Sequence, residues 1–90
     1  VVKDYHVEFA PDAHKFLRKM DPGVRAMLLK WVRKNLENCE NPRAHGKALA
    51  GNLAGLWRYR VGDYRLIAKI EDARVVILIL DIGHRREIYH

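Results

Sequence analysis

The stretch Leu56–Leu66 constrains the fold more than any other part of the chain. It reads Leu-Trp-Arg-Tyr-Arg-Val-Gly-Asp-Tyr-Arg-Leu, so large apolar residues alternate with arginine on both sides of Gly62-Asp63. Such alternation is the period of a β-strand, and Gly-Asp is a two-residue hairpin signal. The sequence therefore predicts a β-hairpin with its apolar side chains on one face and three arginines on the other, namely Arg58, Arg60 and Arg65.

The arginine face of this hairpin predicts a binding site for an anion. In the predicted register Arg60 lies opposite Arg65, and like charges in that position are mildly destabilising. A guanidinium group can bind phosphate through two parallel hydrogen bonds, and several such groups can stabilise the extra negative charge of a phosphorane transition state. The alternative interpretation of the same pattern is a solvated basic surface with scattered salt bridges.

Composition limits the classes of protein that this chain can be. Its 90 residues suit one domain spanning 1–90, and the net charge of +6 favours an acidic partner such as nucleic acid or an acidic protein. Cys39 is the one cysteine, so we expect a reducing compartment, and the longest apolar run, Val75 to Leu80, is too short to span a membrane. We therefore expect a cytoplasmic protein without a membrane partner.

Residue types also limit the chemistry. The chain contains no serine or threonine, which excludes these nucleophiles, and the histidines show no spacing typical of metal ligands. Any catalysis must use arginine, lysine, histidine, tyrosine, a carboxylate or Cys39, and we expect no metal and no cofactor.

The remaining pattern predicts an α+β fold. Tyr5 to Phe9 alternates as a short strand, and Asp21-Pro22 begins a second helix that should run to about Glu37 or Cys39. The first helix has an apolar stripe formed by Ala13, Phe16, Leu17 and Met20. We expect these two helices to form an αα-hairpin packed on one face of a three-stranded antiparallel meander.

The last strand and the polar end of the chain complete this meander. Arg74 to Ile82 reads as a strand in the middle of the sheet, because its run of apolar residues would be buried on both faces. Gly83 is expected to bend the chain after it. If the meander folds back, Arg85 joins the hairpin arginines, while His84 could transfer protons and Tyr89 could stack on a base. The alternatives are a surface histidine and a tyrosine at the rim of the core.

Two segments resemble a known family. The sequences "GKALAGNLAGLWRYRVGDYRLIAKI" (46–70) and "VVILILDIGHRREIYH" (75–90), together with the order of elements, resemble the RelE/ParE superfamily of toxins from bacterial and archaeal toxin–antitoxin pairs. The resemblance implies a fold like that of small microbial ribonucleases. For the RelE branch it implies metal-free cleavage of messenger RNA in the ribosomal A site, in which the 2′-hydroxyl of a nucleotide attacks the adjacent phosphate.

The resemblance also implies roles for individual residues. Arg58, Arg60 and Arg65 would hold the phosphate, Arg85 would stabilise the leaving 5′-oxygen, and Tyr89 would stack on a codon base. The founding RelE enzyme has lysines in place of Arg58 and Arg60, and arginine is a poor general base because its pKa exceeds about 12. This difference makes His84 and Tyr89 the predicted groups for proton transfer.

The partners implied by the resemblance are a cognate RelB-like antitoxin, the ribosome with its messenger RNA, and operator DNA only through the toxin–antitoxin complex. An acidic, partly disordered antitoxin segment would cover the basic surfaces. Two other functions remain open at this point. One is a ParE-like inhibitor of DNA gyrase without nuclease activity, and the other is an inactive toxin kept for repression with its antitoxin. Arg65, Arg85 and Tyr89 favour the nuclease.

Overall fold

The computed structural model describes residues 4–84, which form a five-stranded sheet with two helices packed on one face. This confirms the predicted α+β class. The strand order is β1-β5-β4-β3-β2. The strands and helices are β1 (His6–Phe9), α1 (Pro11–Lys19), α2 (Pro22–Asn35), β2 (Lys47–Ala48), β3 (Trp57–Val61), β4 (Tyr64–Glu71) and β5 (Val76–His84). Two short 3-10 turns, Pro42–His45 and Gly51–Leu53, lie on either side of β2. No helix in this part of the chain is long and apolar enough to cross a membrane.

The central hairpin forms in the predicted register. Val61 pairs with Tyr64 and Arg60 pairs with Arg65 across β3 and β4. Gly62 begins the two-residue turn with a φ of 61°, a left-handed conformation that glycine adopts at little steric cost. The turn therefore fixes which side chains share a face.

The sheet is wider than the predicted meander. β1 lies parallel to β5, with His6 opposite Val76, and β2 pairs antiparallel with β3. β5 consequently lies between β1 and β4, as its apolar run predicted. Parallel pairing between β1 and β5 requires a long connection, which α1, α2 and the hairpin together provide.

The core fills the space between the helices and one face of the sheet. We call this side of the sheet the covered face. Its side chains form one cluster with the buried residues of the helices: Tyr5, Ala13, Leu17, Leu28, Val32, Leu36, Tyr59, Val61, Leu66, Ala68, Ile77, Ile79 and Ile82. Asp21 begins α2 as predicted, since its carboxylate accepts hydrogen bonds from the N–H groups of Gly23 and Val24, at 3.0 and 3.3 Å.

Both helices differ in detail from the prediction. Phe16, predicted to be buried, is 43% exposed, because the buried side of α1 is the narrower pair Ala13 and Leu17. α2 ends at Asn35, before the predicted boundary. Asn38 has a φ of 64°, and such a left-handed residue turns the chain out of a helix.

β5 contains a β-bulge that changes the face on which its later residues lie. Ile67 pairs with Asp81 while Ala68 pairs with Ile79, so Leu80 has no partner in β4. Past this extra residue the alternation is shifted, and Ile82 joins Ile79 in the core. The strand continues through Gly83, which pairs with Arg65, so the prediction that Gly83 bends the chain is wrong.

Candidate functional site

Four basic side chains lie on the sheet face opposite the helices, which we call the open face. Arg58 and Arg60 are on β3, Arg65 is on β4, and Lys47 is on β2. Lys47 pairs with Arg58, and Arg60 pairs with Arg65, so the four occupy two neighbouring rows of the sheet. Within residues 4–84 no acidic side chain forms an ion pair with any of them. The structure therefore brings together the three hairpin arginines as predicted and adds Lys47.

Two of these arginines have buried nitrogen atoms that find no hydrogen-bond partner within residues 4–84. Arg65 is only 6% exposed, and its Nε and Nη1 atoms have no partner. The Nε atom of half-buried Arg58 is also without one. Leaving a buried polar group unpaired costs about 1–3 kcal/mol, and more for a charged group. Guanidinium groups held in this state are ready to bind an anion that supplies the missing acceptors.

A groove of about 330 Å³ leads onto this basic cluster. It is lined by Ala44, His45, Gly46, Lys47, Arg58 and Arg60. The 3-10 turn Pro42–His45 forms one wall, and it is fixed to the sheet because the hydroxyl of Tyr59 donates a 2.8 Å hydrogen bond to the carbonyl of Pro42. Burial raises the pKa of Tyr59 far above its ordinary value, so this hydroxyl stays a donor. The groove thus has a fixed wall and a basic floor.

Gly46 determines how closely this wall approaches β3. A Cβ atom at position 46 would lie 2.5 Å from the carbonyl oxygen of Arg58 and 2.8 Å from the ring of Tyr59. Any side chain there would therefore push the turn away from the sheet. The absence of a side chain lets His45 and Lys47 lie beside the arginines.

An ion pair holds the other side of the same turn. Arg43 binds Asp72 through two hydrogen bonds of 3.1 and 2.8 Å, and the hydroxyl of Tyr5 donates to Asp72 at 2.6 Å. This hydrogen bond to Asp72 is the main cause of a raised pKa at Tyr5. The Arg43 guanidinium also lies 5.8 Å from the centre of the Trp57 ring. Arg43 is therefore committed to holding the turn in place.

His84 lies apart from the basic cluster. Its ring contacts the Tyr64 ring edge-on, with 5.6 Å between the centroids. It also lines a separate groove with Phe16, Lys19, Met20, Asp21 and Tyr64, on the helix side of the sheet. The structure therefore does not bring His84 to the arginines. Arg85 and Tyr89 lie outside the described residues.

Sequence reasoning missed two contributors to this site. Lys47 lies in a strand of two residues, too short to show alternation in the sequence, although its pairing with Arg58 places it in the cluster. His45 lies in a loop, where no periodicity indicates a facing partner. Within residues 4–84 no group of three or more histidine, cysteine, aspartate or glutamate side chains is placed to hold a metal ion.

Comparisons with known proteins identify the family. Residues 7–89 match the family model described as the ParE toxin of the type II toxin–antitoxin system parDE. Toxin RelG of Mycobacterium tuberculosis is 34% identical over 85 residues, which cover 94% of this chain and 95% of the relative.

Solved structures show the same relationship. The toxin–antitoxin complex RelBE2 from Mycobacterium tuberculosis contains a chain that is 33% identical, with a TM-score of 0.82, over 91% of this chain and 99% of its own. The isolated E. coli RelE toxin is 30% identical, with a TM-score of 0.70, over 94% of this chain and 90% of its own. The chain belongs to the RelE/ParE superfamily and is the toxin of a type II toxin–antitoxin system.

Proposed function

We propose that this toxin is a ribosome-dependent endoribonuclease that cleaves messenger RNA in the A site and so inhibits translation. The observation that carries the proposal is the open face, where Nε of Arg58 and Nε and Nη1 of Arg65 are buried without a hydrogen-bond partner from residues 4–84, in adjacent rows with Arg60 and Lys47. This arrangement suits an oxyanion such as a phosphodiester, and suits the more highly charged phosphorane formed from it even better. The names of the relatives, RelG and RelE toxins, support the same branch of the superfamily.

The proposed reaction uses the RNA's own nucleophile. The 2′-oxygen of one nucleotide forms a bond to the adjacent phosphorus, and the bond from phosphorus to the 5′-oxygen of the next nucleotide breaks. The phosphorane formed on the way carries more negative charge than the phosphodiester. Arg58, Arg60 and Arg65 would stabilise that charge. The buried Arg65 would do so with the least reorganisation, because it is already largely desolvated. This route requires no metal or other cofactor.

Two further roles stay predictions within this proposal. Arg85 would stabilise the leaving 5′-oxygen, and Tyr89 would stack on a codon base. His84 was predicted to transfer a proton, but its contact with Tyr64 on the helix side of the sheet does not support that role. The hairpin arginines supply charge, and the proton acceptor must come from elsewhere.

A cognate RelB-like antitoxin is the proposed neutralising partner. The similar RelBE2 structure is itself a toxin–antitoxin complex. The net charge of +6 and the unpaired open face would attract an acidic antitoxin segment, which would compete with RNA. Operator DNA would be bound only through this complex, and the toxin would act in the cytoplasm.

Primer extension on messenger RNA translated by reconstituted ribosomes tests the proposal. We expect new 5′ ends only at codons occupied by ribosomes, and none on the same RNA without ribosomes. Arg18→Ala, on the exposed side of α1, is a suitable control because it removes one positive charge away from the open face. Intact message under these conditions would contradict the proposal.

Inhibition of DNA gyrase is the second candidate function, favoured by the match to the ParE family model. A gyrase supercoiling assay that also detects trapped gyrase–DNA cleavage complexes would test it. Trapped complexes together with intact message would establish the ParE-like function. Cleaved message with unaffected supercoiling would exclude it.

A further inference from the structure

The basic cluster contains no side chain that accepts a proton at neutral pH. Arginine and lysine already carry their full complement of protons there, and no carboxylate from residues 4–84 lines the groove. Cleavage through a 2′-hydroxyl nevertheless requires that its proton be removed. Another group at the groove must therefore accept this proton.

Histidine is the side chain that gains and loses a proton near neutral pH. Of the histidines within residues 4–84, His6 binds Glu37 at 2.9 Å, His14 lies on the exposed side of α1, and His84 contacts Tyr64. His45 lines the same groove as Lys47, Arg58 and Arg60. It is the one histidine in the described part of the chain that shares a groove with the arginines.

The position of His45 is fixed by the turn that carries it. Tyr59 holds the turn through the Pro42 carbonyl, and Arg43 holds it through Asp72. Gly46 allows the backbone next to His45 to contact β3 directly. The imidazole itself is exposed, and no group in the described part of the chain forms a hydrogen bond with its ring nitrogens. A fixed backbone with a free, accessible imidazole is suited to proton transfer with a bound substrate.

We propose that His45 is the general base of the cleavage reaction, an inference that rests on the proposed nuclease function. A ring nitrogen of neutral His45 takes the proton of the 2′-hydroxyl as the 2′-oxygen bonds to phosphorus. The bond from phosphorus to the 5′-oxygen breaks, and the leaving oxygen takes a proton from water. The hydroxide that remains then neutralises the imidazolium. The products are a 2′,3′-cyclic phosphate and a 5′-hydroxyl, with no other reagent consumed.

Single-turnover cleavage on programmed ribosomes, with toxin in excess, tests this role. We expect His45→Ala to lower the rate about 100-fold, in the range that general base catalysis contributes. The rise in rate with pH near neutrality should disappear in this variant, and added imidazole should restore part of the rate. Neither effect is expected if His45 merely supports the turn.

Two further variants make the result specific. His14→Ala is the control, since it removes a histidine on the exposed side of α1 and should cleave as the wild type does. His45→Gln keeps a polar side chain of similar size and should be as slow as His45→Ala. Unchanged thermal unfolding would show that both His45 variants are folded.

The outcomes separate this inference from the function on which it rests. Cleavage by the wild type and by His45→Ala at rates within about twofold would overturn the role of His45 and leave the nuclease intact. A slow His45→Ala variant that keeps the wild-type pH profile and does not respond to imidazole would also overturn it. If the wild type itself cleaves no message, the nuclease function and this inference fall together.

Discussion

The two faces of the sheet differ in how their buried groups are satisfied, although the same strands form both. On the covered face the side chains are apolar and packed against α1 and α2, and the one buried hydroxyl of β3, that of Tyr59, has its acceptor. On the open face, Nε and Nη1 of the buried Arg65 have no hydrogen-bond partner among the described residues. One face therefore supplies the free energy of folding, and the other holds groups that cost free energy until an anion binds.

The difference teaches where to look for function in a domain of this size. A small domain has little stability in reserve, so an uncompensated buried charge stands out against its core. Arg65 meets this description, whereas the partnered Arg43 and Arg74 do not. Four variants test the contrast between the faces, in decreasing order of expected effect.

Ile77→Ala should cause the largest change, because it removes a side chain that is fully buried on the covered face. We expect the free energy of unfolding to fall by about 4 kcal/mol, measured by urea denaturation. Leu78→Ala, next along β5 and only partly buried, is the matched comparison and should cost less than half as much. Equal losses would show that the two faces do not differ in packing.

Arg65→Met should lower activity without lowering stability. Cleavage should fall about 100-fold, or about 2.7 kcal/mol of transition-state stabilisation, while the free energy of unfolding stays equal or rises by about 1 kcal/mol. The stability gain is expected because methionine needs no hydrogen-bond partners in this buried position. Ribosomal cleavage and urea denaturation of the same preparation measure both quantities, and a clear loss of stability would show that the guanidinium is satisfied.

Tyr59→Phe tests a residue that contacts both sides, since its ring lies in the core and its hydroxyl holds the wall of the groove. It leaves the ring in the core but removes the hydroxyl that donates to Pro42, so a buried carbonyl loses its partner. We expect a loss of about 1.5 kcal/mol in the free energy of unfolding and a several-fold slower cleavage as the groove wall loosens. Tyr64→Phe is the control for stability, and a similar loss there would contradict the importance of this hydrogen bond.

Glu37→Gln should have the smallest effect on stability, and the size of this effect should depend on pH. Desolvation raises the pKa of Glu37, but hydrogen bonds from the Val7 N–H and from His6 outweigh it, so the pKa is lowered from 4.5. Because the pKa is lower in the folded state, the ionised carboxylate stabilises the protein fully at pH values above its unfolded-state pKa. This contribution disappears as the pH falls through the folded-state pKa.

The expected difference at neutral pH is about 0.5 kcal/mol, as for other partly exposed ion pairs. Thermal unfolding of the wild type and Glu37→Gln at about pH 7 and pH 3 checks it. The two proteins should differ at neutral pH and converge in acid. A constant difference across this range would show that ionisation of Glu37 contributes nothing.

The sequence predicted those features that short-range pattern determines. The Gly62-Asp63 turn and the strict alternation around it were sufficient to assign the register of β3 and β4, and with it the face of Arg58, Arg60 and Arg65. The N-cap at Asp21 followed from its position before a proline. In these places each residue's partner lies a few positions away, so local chemistry decides the structure.

The missed features depend on residues that are distant in sequence. The bulge at Leu80 arises where β5 pairs with β4, and without it simple alternation would place His84 on the open face. The 3-10 turn contacts β3 because Gly46 fits against Arg58, a contact that no periodicity encodes. The positions of His84 beside Tyr64 and of His45 beside Arg58 both depend on such tertiary contacts, which the local sequence pattern does not reveal.

The parallel pairing of β1 with β5 has a consequence for synthesis of the chain. β1 must wait for a partner made about 70 residues later, which at 5–20 residues per second takes several seconds. Ile77 and Ile79, fully buried in β5, close the core only at that point. A nascent toxin therefore cannot complete its sheet until β5 has been translated. The basic cluster gains its rigid support only when the ribosome has finished that strand.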